Sequence, residues 1–208
     1  MAKIIGGIGE NLSGSLGGLV FVKRIGANHL RSRPRPRDAS EWSDEQKQVR
    51  AGFRALIRYA SSQKAWLIDP IWNKAAKGTS MSGYNLFVKQ NRAAFDALGK
   101  VSDPALLHFS TGNLLLPYML SALLNTDNPG SIDISWSNQL SGSKYGDDSL
   151  MAVFYNGKAG RMADTGFKRN EGRATIVHPS PHAEGVFLYL FFWNKKLDMY
   201  SDDQVFKV

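Results

Sequence analysis

Two hydrophobic periods divide the chain near Val101. Beyond it, apolar residues alternate: Ile132, Ile134 and Trp136 in SIDISW, then LMAVFY, RATIVH and VFLYLFFW, separated by the loops QLSGSKYGDD, RMADTGFKRNEG and PSPHAEG. A period of two sends successive side chains to opposite faces of a strand, so Trp136 is expected to face a core. Strands expected at 106–109, at 118–123 and in the terminal VFKV bring the total to about seven, which fits an immunoglobulin-like β-sandwich. VFLYLFFW is apolar at both phases and is expected to be the most buried strand.

Before Val101 the period is helical. Ser43-Asp44-Glu45-Gln46 has the S-x-x-Q form of a capping box, in which the serine hydroxyl takes an orphan N–H and Gln46 reaches back. Val49, Phe53, Leu56, Ile57 and Ala60 then fall on one face, with Lys47, Arg50, Arg54 and Arg58 lining another, which reads first as an ordinary solvated face and second as a binding one. Residues 61–77 read as two short helices, the second starting with Pro70 at its first position, where a missing N–H costs little. Ser82 opens a further helix with Tyr84, Phe87, Val88, Asn91, Phe95 and Leu98 on its apolar face and Lys89 and Arg92 outside it. Trp66, Trp72, Tyr84, Phe87 and Phe95 are expected to close a small helical core rather than to stack on bases.

Neither period describes the first 40 residues. Gly6, Gly7, Gly9, Gly14, Gly17 and Gly18 are interspersed with Ile4, Ile5, Ile8, Leu12, Leu16 and Leu19. A flexible spacer needs no large aliphatics, so this is an arm that docks. It lacks the GxxxxGK[ST] pattern of a phosphate loop. Leu19-Val20-Phe21-Val22 and His29-Leu30-Arg31-Ser32 form a hairpin about a turn at Gly26-Ala27-Asn28. In HLRSRPRPRDASEW, Pro34 and Pro36 keep the chain extended, and a strand-like course would place Arg31, Arg33, Arg35 and Arg37 on one side as a cationic ridge. The expected fold is thus α+β in three parts: a glycine-rich arm, hairpin and basic segment (1–40), a helical region (41–100) and the sandwich (101–208).

Charge sharpens this division. Of a net +8, residues 1–100 hold 17 Lys and Arg against 7 Asp and Glu, and residues 101–208 hold 9 against 11. A basic front joined to a nearly neutral body suits an acidic partner or head-to-tail contact between copies. The 208 residues contain no cysteine, which excludes disulfides, thiol nucleophiles and thiolate metal sites. Glycines and Glu10 interrupt any secretory apolar core, so no classical signal peptide is expected, and synthesis would be cytoplasmic, with assembly in a virion or outside the cell. His108, Asn113 and Pro117 interrupt the most apolar stretch, 105–124, so no membrane span is expected.

Several of these segments, taken in order, resemble a Bacteroidota family of proteins with a domain of unknown function. In the N-terminal half they are GSLGGLVFVKR, GANHLRSRPRP, the Q-x-x-x-R of Gln46 to Arg50, and SGYNLFVKQN. In the C-terminal half they are IDISWS, DDSLMAVFYN, the Gly172-Arg173-Ala174-Thr175-Ile176 strand, VFLYLFFW and SDDQVFKV. The N-terminal order of turn, basic arm and helices is also similar to that of phage-associated proteins. The resemblance spans nearly the whole chain and implies a two-part protein without supplying an activity. Here the apolar 114–124 segment is longer than in the family.

Catalytic signals are weak. His178-Pro179-Ser180-Pro181-His182 spaces two imidazoles as a zinc helix would, but the prolines forbid that helix. Tyr145-Gly146-Asp147-Asp148-Ser149 lacks a further acidic calcium ligand and reads as a solvated turn. No GxSxG elbow is present. No enzyme and no cofactor are expected. Two roles remain: a structural subunit whose arm reaches into a neighbouring copy, or a nucleic-acid-binding protein using Arg31, Arg33, Arg35, Arg37, Lys47, Arg50, Arg54 and Arg58 on phosphates. The apolar arm favours the first.

Overall fold

The segment that is apolar at both phases forms the centre of the molecule. In the computed structural model, which describes residues 2–4, 12–24, 27–36, 38, 40, 42–128, 130–137, 144–157, 160–178 and 185–208, it becomes strand β10, Phe187–Asn194. Residues Leu188, Tyr189, Leu190, Phe191 and Phe192 are all completely buried. β10 pairs antiparallel with β7 (Ser149–Tyr155) on one side, and on the other with β12 (Gln204–Lys207) and then β11 (Met199–Tyr200). β8 (Gly160–Lys168) extends the sheet beyond β7. A second antiparallel sheet runs β5 (Ser121–Leu124), β6 (Ser131–Ser135), β9 (Arg173–Val177).

The two phases of the central strands serve two cores. Leu150, Ala152, Leu188, Leu190 and Phe192 pack with Ile132, Ile134, Trp136, Ala174 and Ile176 of the second sheet. Met151, Val153, Tyr155, Tyr189 and Phe191 instead pack with Leu56, Leu67, Ile71, Trp72 and Phe87 of the helices. The chain is therefore α+β in three layers, and the central strands of its middle sheet, β7 and β10, are apolar at both phases because neither of their faces meets water. Trp136 is buried, edge-on to Phe192 at 5.5 Å, with its indole N–H donating to the Arg169 carbonyl at 2.7 Å.

Helix α1 (Asp44–Ser62) begins with the expected capping box, Gln46 N–H donating to Ser43 Oγ and Ser43 N–H to Gln46 Oε1. Its apolar face is buried only at the C-terminal end, at Leu56 and Ala60, whereas Val49 is 60% and Phe53 48% exposed. The first two turns stand clear of the body and have no layer to pack against. The two short helices expected after α1 are instead a continuous π-helical stretch, Lys64–Trp72, running into α2 (Asn73–Ala75), with Pro70 inside it. The wider turn, seen in the Ile68 N–H to Gln63 carbonyl bond, relieves the clash a proline ring makes with the fourth preceding carbonyl. α3 (Gly83–Asn91) lies so close that a Cβ on Gly83 would sit 2.4 Å from the Trp72 carbonyl carbon. The aromatic set closes this layer: Trp72, Phe87 and Phe95 are buried, and Trp66 and Tyr84 are packed against them.

Three other expectations need correction. Residues 106–109 join no ladder. Asp103 and Pro104 start a 3-10 turn, and the next backbone N–H groups are taken by side chains, His108 donating to Asn91 Oδ1 and Phe109 to Asp203 Oδ2. RMADTGFKRNEG, expected as a loop, supplies β8 and a 3-10 turn (Arg169–Glu171); β8 is a polar edge strand and so carries little alternation. The turn at Tyr145–Ser149 is not solvated throughout, since Asp148 is fully buried.

Ahead of these layers lies a separate antiparallel sheet, β1 (Ala2–Ile4), β4 (Ala27–Ser32), β3 (Leu19–Arg24) and β2 (Gly14–Leu16) in that spatial order. Ala27 and Asn28, expected in the turn, already lie in the β3–β4 ladder opposite Arg24 and Lys23. Gly26, the aliphatic-glycine run 5–11, Arg37, all of QLSGS and His182 fall outside the described residues.

Candidate interaction surface

Cross-strand register sorts the N-terminal sheet into two faces. The pairs Leu16–Leu19 and Phe21–Leu30 form an apolar patch on one face, which Lys23–Asn28 and Ser32 also share, and Val20–Arg31 and Val22–His29 share the other. Among residues 12–23, 28–36, 38, 40 and 42–51 none is buried, and neither core contains a described residue before Leu56. Leu16 is 71% exposed, and Leu12 and Leu19 are also exposed. The face formed by β2, β3 and β4 thus lacks a described intramolecular cover.

The basic residues lie on the opposite face of this sheet, on the chain that follows it, and on α1. Arg31 lies in β4 opposite Val20, and the Arg33 N–H donates to the Gly18 carbonyl at 2.8 Å, extending the ladder by one bond. Arg35 comes next in exposed chain without regular structure, and Arg37 is outside the described residues. On α1, Lys47, Arg50, Arg54 and Arg58 are all exposed. Lys47 pairs with Asp44 at 3.0 Å, and the Arg50 guanidinium lies 3.7 Å from the centre of the Trp42 ring. Among the described residues Arg31, Arg33, Arg35, Arg54 and Arg58 form no ion pair. The structure brings Arg31 and Arg33 together along β4 and its one-bond extension, and Lys47, Arg50, Arg54 and Arg58 together on α1.

Elsewhere, polar clusters fasten the layers to one another. Asp203, nearly buried, accepts from His108 Nδ1 at 3.0 Å and from the N–H groups of Phe109 and Ser110. That hydrogen bond holds the His108 imidazole above its ordinary 6.5. An imidazole oriented by a carboxylate is half of a catalytic arrangement, but Ser110 Oγ donates to the Ser201 carbonyl and is committed to structure. Asp202 likewise accepts from Thr111 Oγ1 and the Gly112 N–H. The SDD run therefore pins the helix-to-sheet connector. A cleft of about 400 Å³ beside it holds Lys74, which is paired with Asp198 and lies over the Tyr200 ring.

Sequence reasoning missed the buried Asp148–Arg169 pair. Arg169 Nε donates to Asp148 Oδ2 at 2.8 Å, Asn194 donates to the other carboxylate oxygen, and the guanidinium covers Phe192 at 4.4 Å. Burial pushes the Asp148 carboxyl up, and Arg169 pulls it back. His178 is buried edge-on to Phe154. Among the described residues no group of three or more His, Asp or Glu side chains is placed to hold a metal ion, and no helix is long and apolar enough to cross a membrane. No protein-family model matches the chain, and no curated protein matches it.

Proposed function

We propose that the chain is a non-enzymatic structural subunit that associates with copies of itself through its N-terminal arm, as part of a phage virion or a bacterial filament-like assembly. One observation carries this reading: Leu16 and Leu19 of the four-stranded sheet and Leu12 just before it are exposed, and no described residue of that sheet belongs to either core. A small sheet needs its apolar face covered, and a neighbouring copy is the cover this reading supplies. The body suits a rigid subunit. Taking β5, β6, β7, β8, β9, β10 and β12 as A, B, C, C′, E, F and G, the pairings A-B-E and C′-C-F-G support an immunoglobulin-like sandwich.

The test is solution mass by sedimentation for the wild type and a Leu16→Ser/Leu19→Ser variant. The wild type is expected to exceed the monomer and the variant to fall towards it. Equal masses overturn the reading.

A second reading has its own support, since Arg31, Arg33 and Arg35 of the basic segment and Arg54 and Arg58 of α1 lack a carboxylate partner among the described residues. As a phosphate-binding surface, Arg31, Arg33, Arg35 and Arg37 together would give a log–log salt slope of about −3.6 on duplex DNA. Loss of such binding in the fourfold arginine variant, with assembly intact, would favour nucleic acid as the partner.

A further inference from the structure

The segment between the helical layer and the second sheet presents five large apolar side chains to solvent within ten residues. Leu115 is 64% exposed, Tyr118 70%, Met119 85%, Leu123 70% and Leu124 55%. From Leu114 to Leu124 there is no charged residue. The last of these side chains lie on β5, which ends its sheet and, among the described residues, pairs only with β6. An uncharged, leucine-bearing edge strand lacks the lysines, prolines and bulges by which monomeric sheets refuse a further strand.

This surface is held rigidly from beneath. Arg169 Nη2 donates to the Leu115 carbonyl at 2.7 Å, so the buried Arg169–Asp148 pair ends on this turn. The Leu114 N–H donates to the Tyr200 carbonyl, and the Ser137 N–H to the Tyr118 carbonyl at 2.8 Å. Met119 takes a positive φ of 56°, uncommon for a residue with a side chain. A buried ion pair and a strained residue thus fix a loop whose side chains touch solvent, which lowers the ordering cost of docking.

We propose that β5 pairs antiparallel with β5 of a second copy about a two-fold axis, joining two three-stranded sheets into one of six strands. A copy of this chain suits the surface because an uncharged edge meets its own image without like-charge repulsion, and a two-fold contact requires self-complementarity. Covering the five side chains in both copies removes on the order of 1,200 Å², the lower end of a specific interface. The contact is separate from the N-terminal arm and deepens the assembly reading, because one two-fold contact and one arm contact per subunit extend into a filament or lattice.

The cysteine-free chain allows a direct test. Full-length Leu123→Cys is oxidised at low micromolar concentration beside Leu98→Cys, an equally exposed leucine of the helical layer. Leu123→Cys is expected to form a covalent dimer at least tenfold faster than the control, and Met119→Lys/Leu123→Lys to lower the solution mass with the arm intact. Equal cross-linking rates, or an unchanged mass in the lysine variant, overturn the proposal. Leu16→Ser/Leu19→Ser leaves the Leu123→Cys cross-link in place if only the arm reading fails.

Discussion

The sheet around β10 and the sheet formed by β1 to β4 are built from similar strand material with opposite fates. Leu188 to Phe192 are sealed on both faces by a second sheet and by helices, whereas Leu16 and Leu19 remain exposed. The difference lies in the segments adjoining each sheet along the chain. β7 and β10 are surrounded by elements that bring their own apolar faces, while β4 runs into RSRPRPR, whose prolines and charges can cover nothing. On the proposed reading, this exposed apolar face is what another copy covers.

Substitutions in the two sheets should separate them most clearly. Trp136→Ala, which empties the site between the body's sheets, is expected to cost about 3–5 kcal/mol in denaturant unfolding, and Leu19→Ala under about 1 kcal/mol for the monomer. Comparable costs would mean that the N-terminal sheet is part of the body's core. Asp148→Ala leaves Arg169 buried without its carboxylate and is expected to cost about 3 kcal/mol or more, read from the same unfolding curves. A loss below about 1 kcal/mol would place water at that pair.

Smaller effects sharpen the contrast. Phe53→Ser, on the projecting half of α1, is expected to change monomer stability by no more than about 0.5 kcal/mol while weakening association measured by light scattering. The smallest effect is a pH dependence. Asp203 raises the His108 pKa above its ordinary 6.5, so protonation favours the folded state. That contribution is complete below about pH 6.5 and fades as the pH rises through the raised folded value. An NMR titration should place the His108 midpoint above 6.5, and Asp203→Asn should lower it; an unmoved midpoint would remove Asp203 as the cause.

How much of this was legible in the sequence depends on how local each signal is. The capping box at Ser43, the burial of Trp136 and the central place of VFLYLFFW rest on a few adjacent residues and their period, and all three appear in the structure. β8 escaped notice because an edge strand needs no alternation, and the π-helical course through Pro70 because proline normally starts a helix. The exposure of Val49 and Phe53 depends on where the body ends, which no periodicity encodes. Asp148 and Arg169 are 21 residues apart and meet only after β7 and β8 pair. At the candidate surface, the arginine alternation was plain in the sequence. The apolar face of the N-terminal sheet depends on the register of Leu16 with Leu19 and of Phe21 with Leu30.

Hydrogen exchange of the full-length protein at two concentrations, one below and one above the onset of association, tests the central claim that the N-terminal sheet is covered by another copy. Amides of β7 and β10 should be equally protected at both concentrations, and amides of β3 and β4 should gain protection only at the higher one. Strong protection of β3 and β4 at both concentrations, or none when the mass shows assembly, would contradict the account.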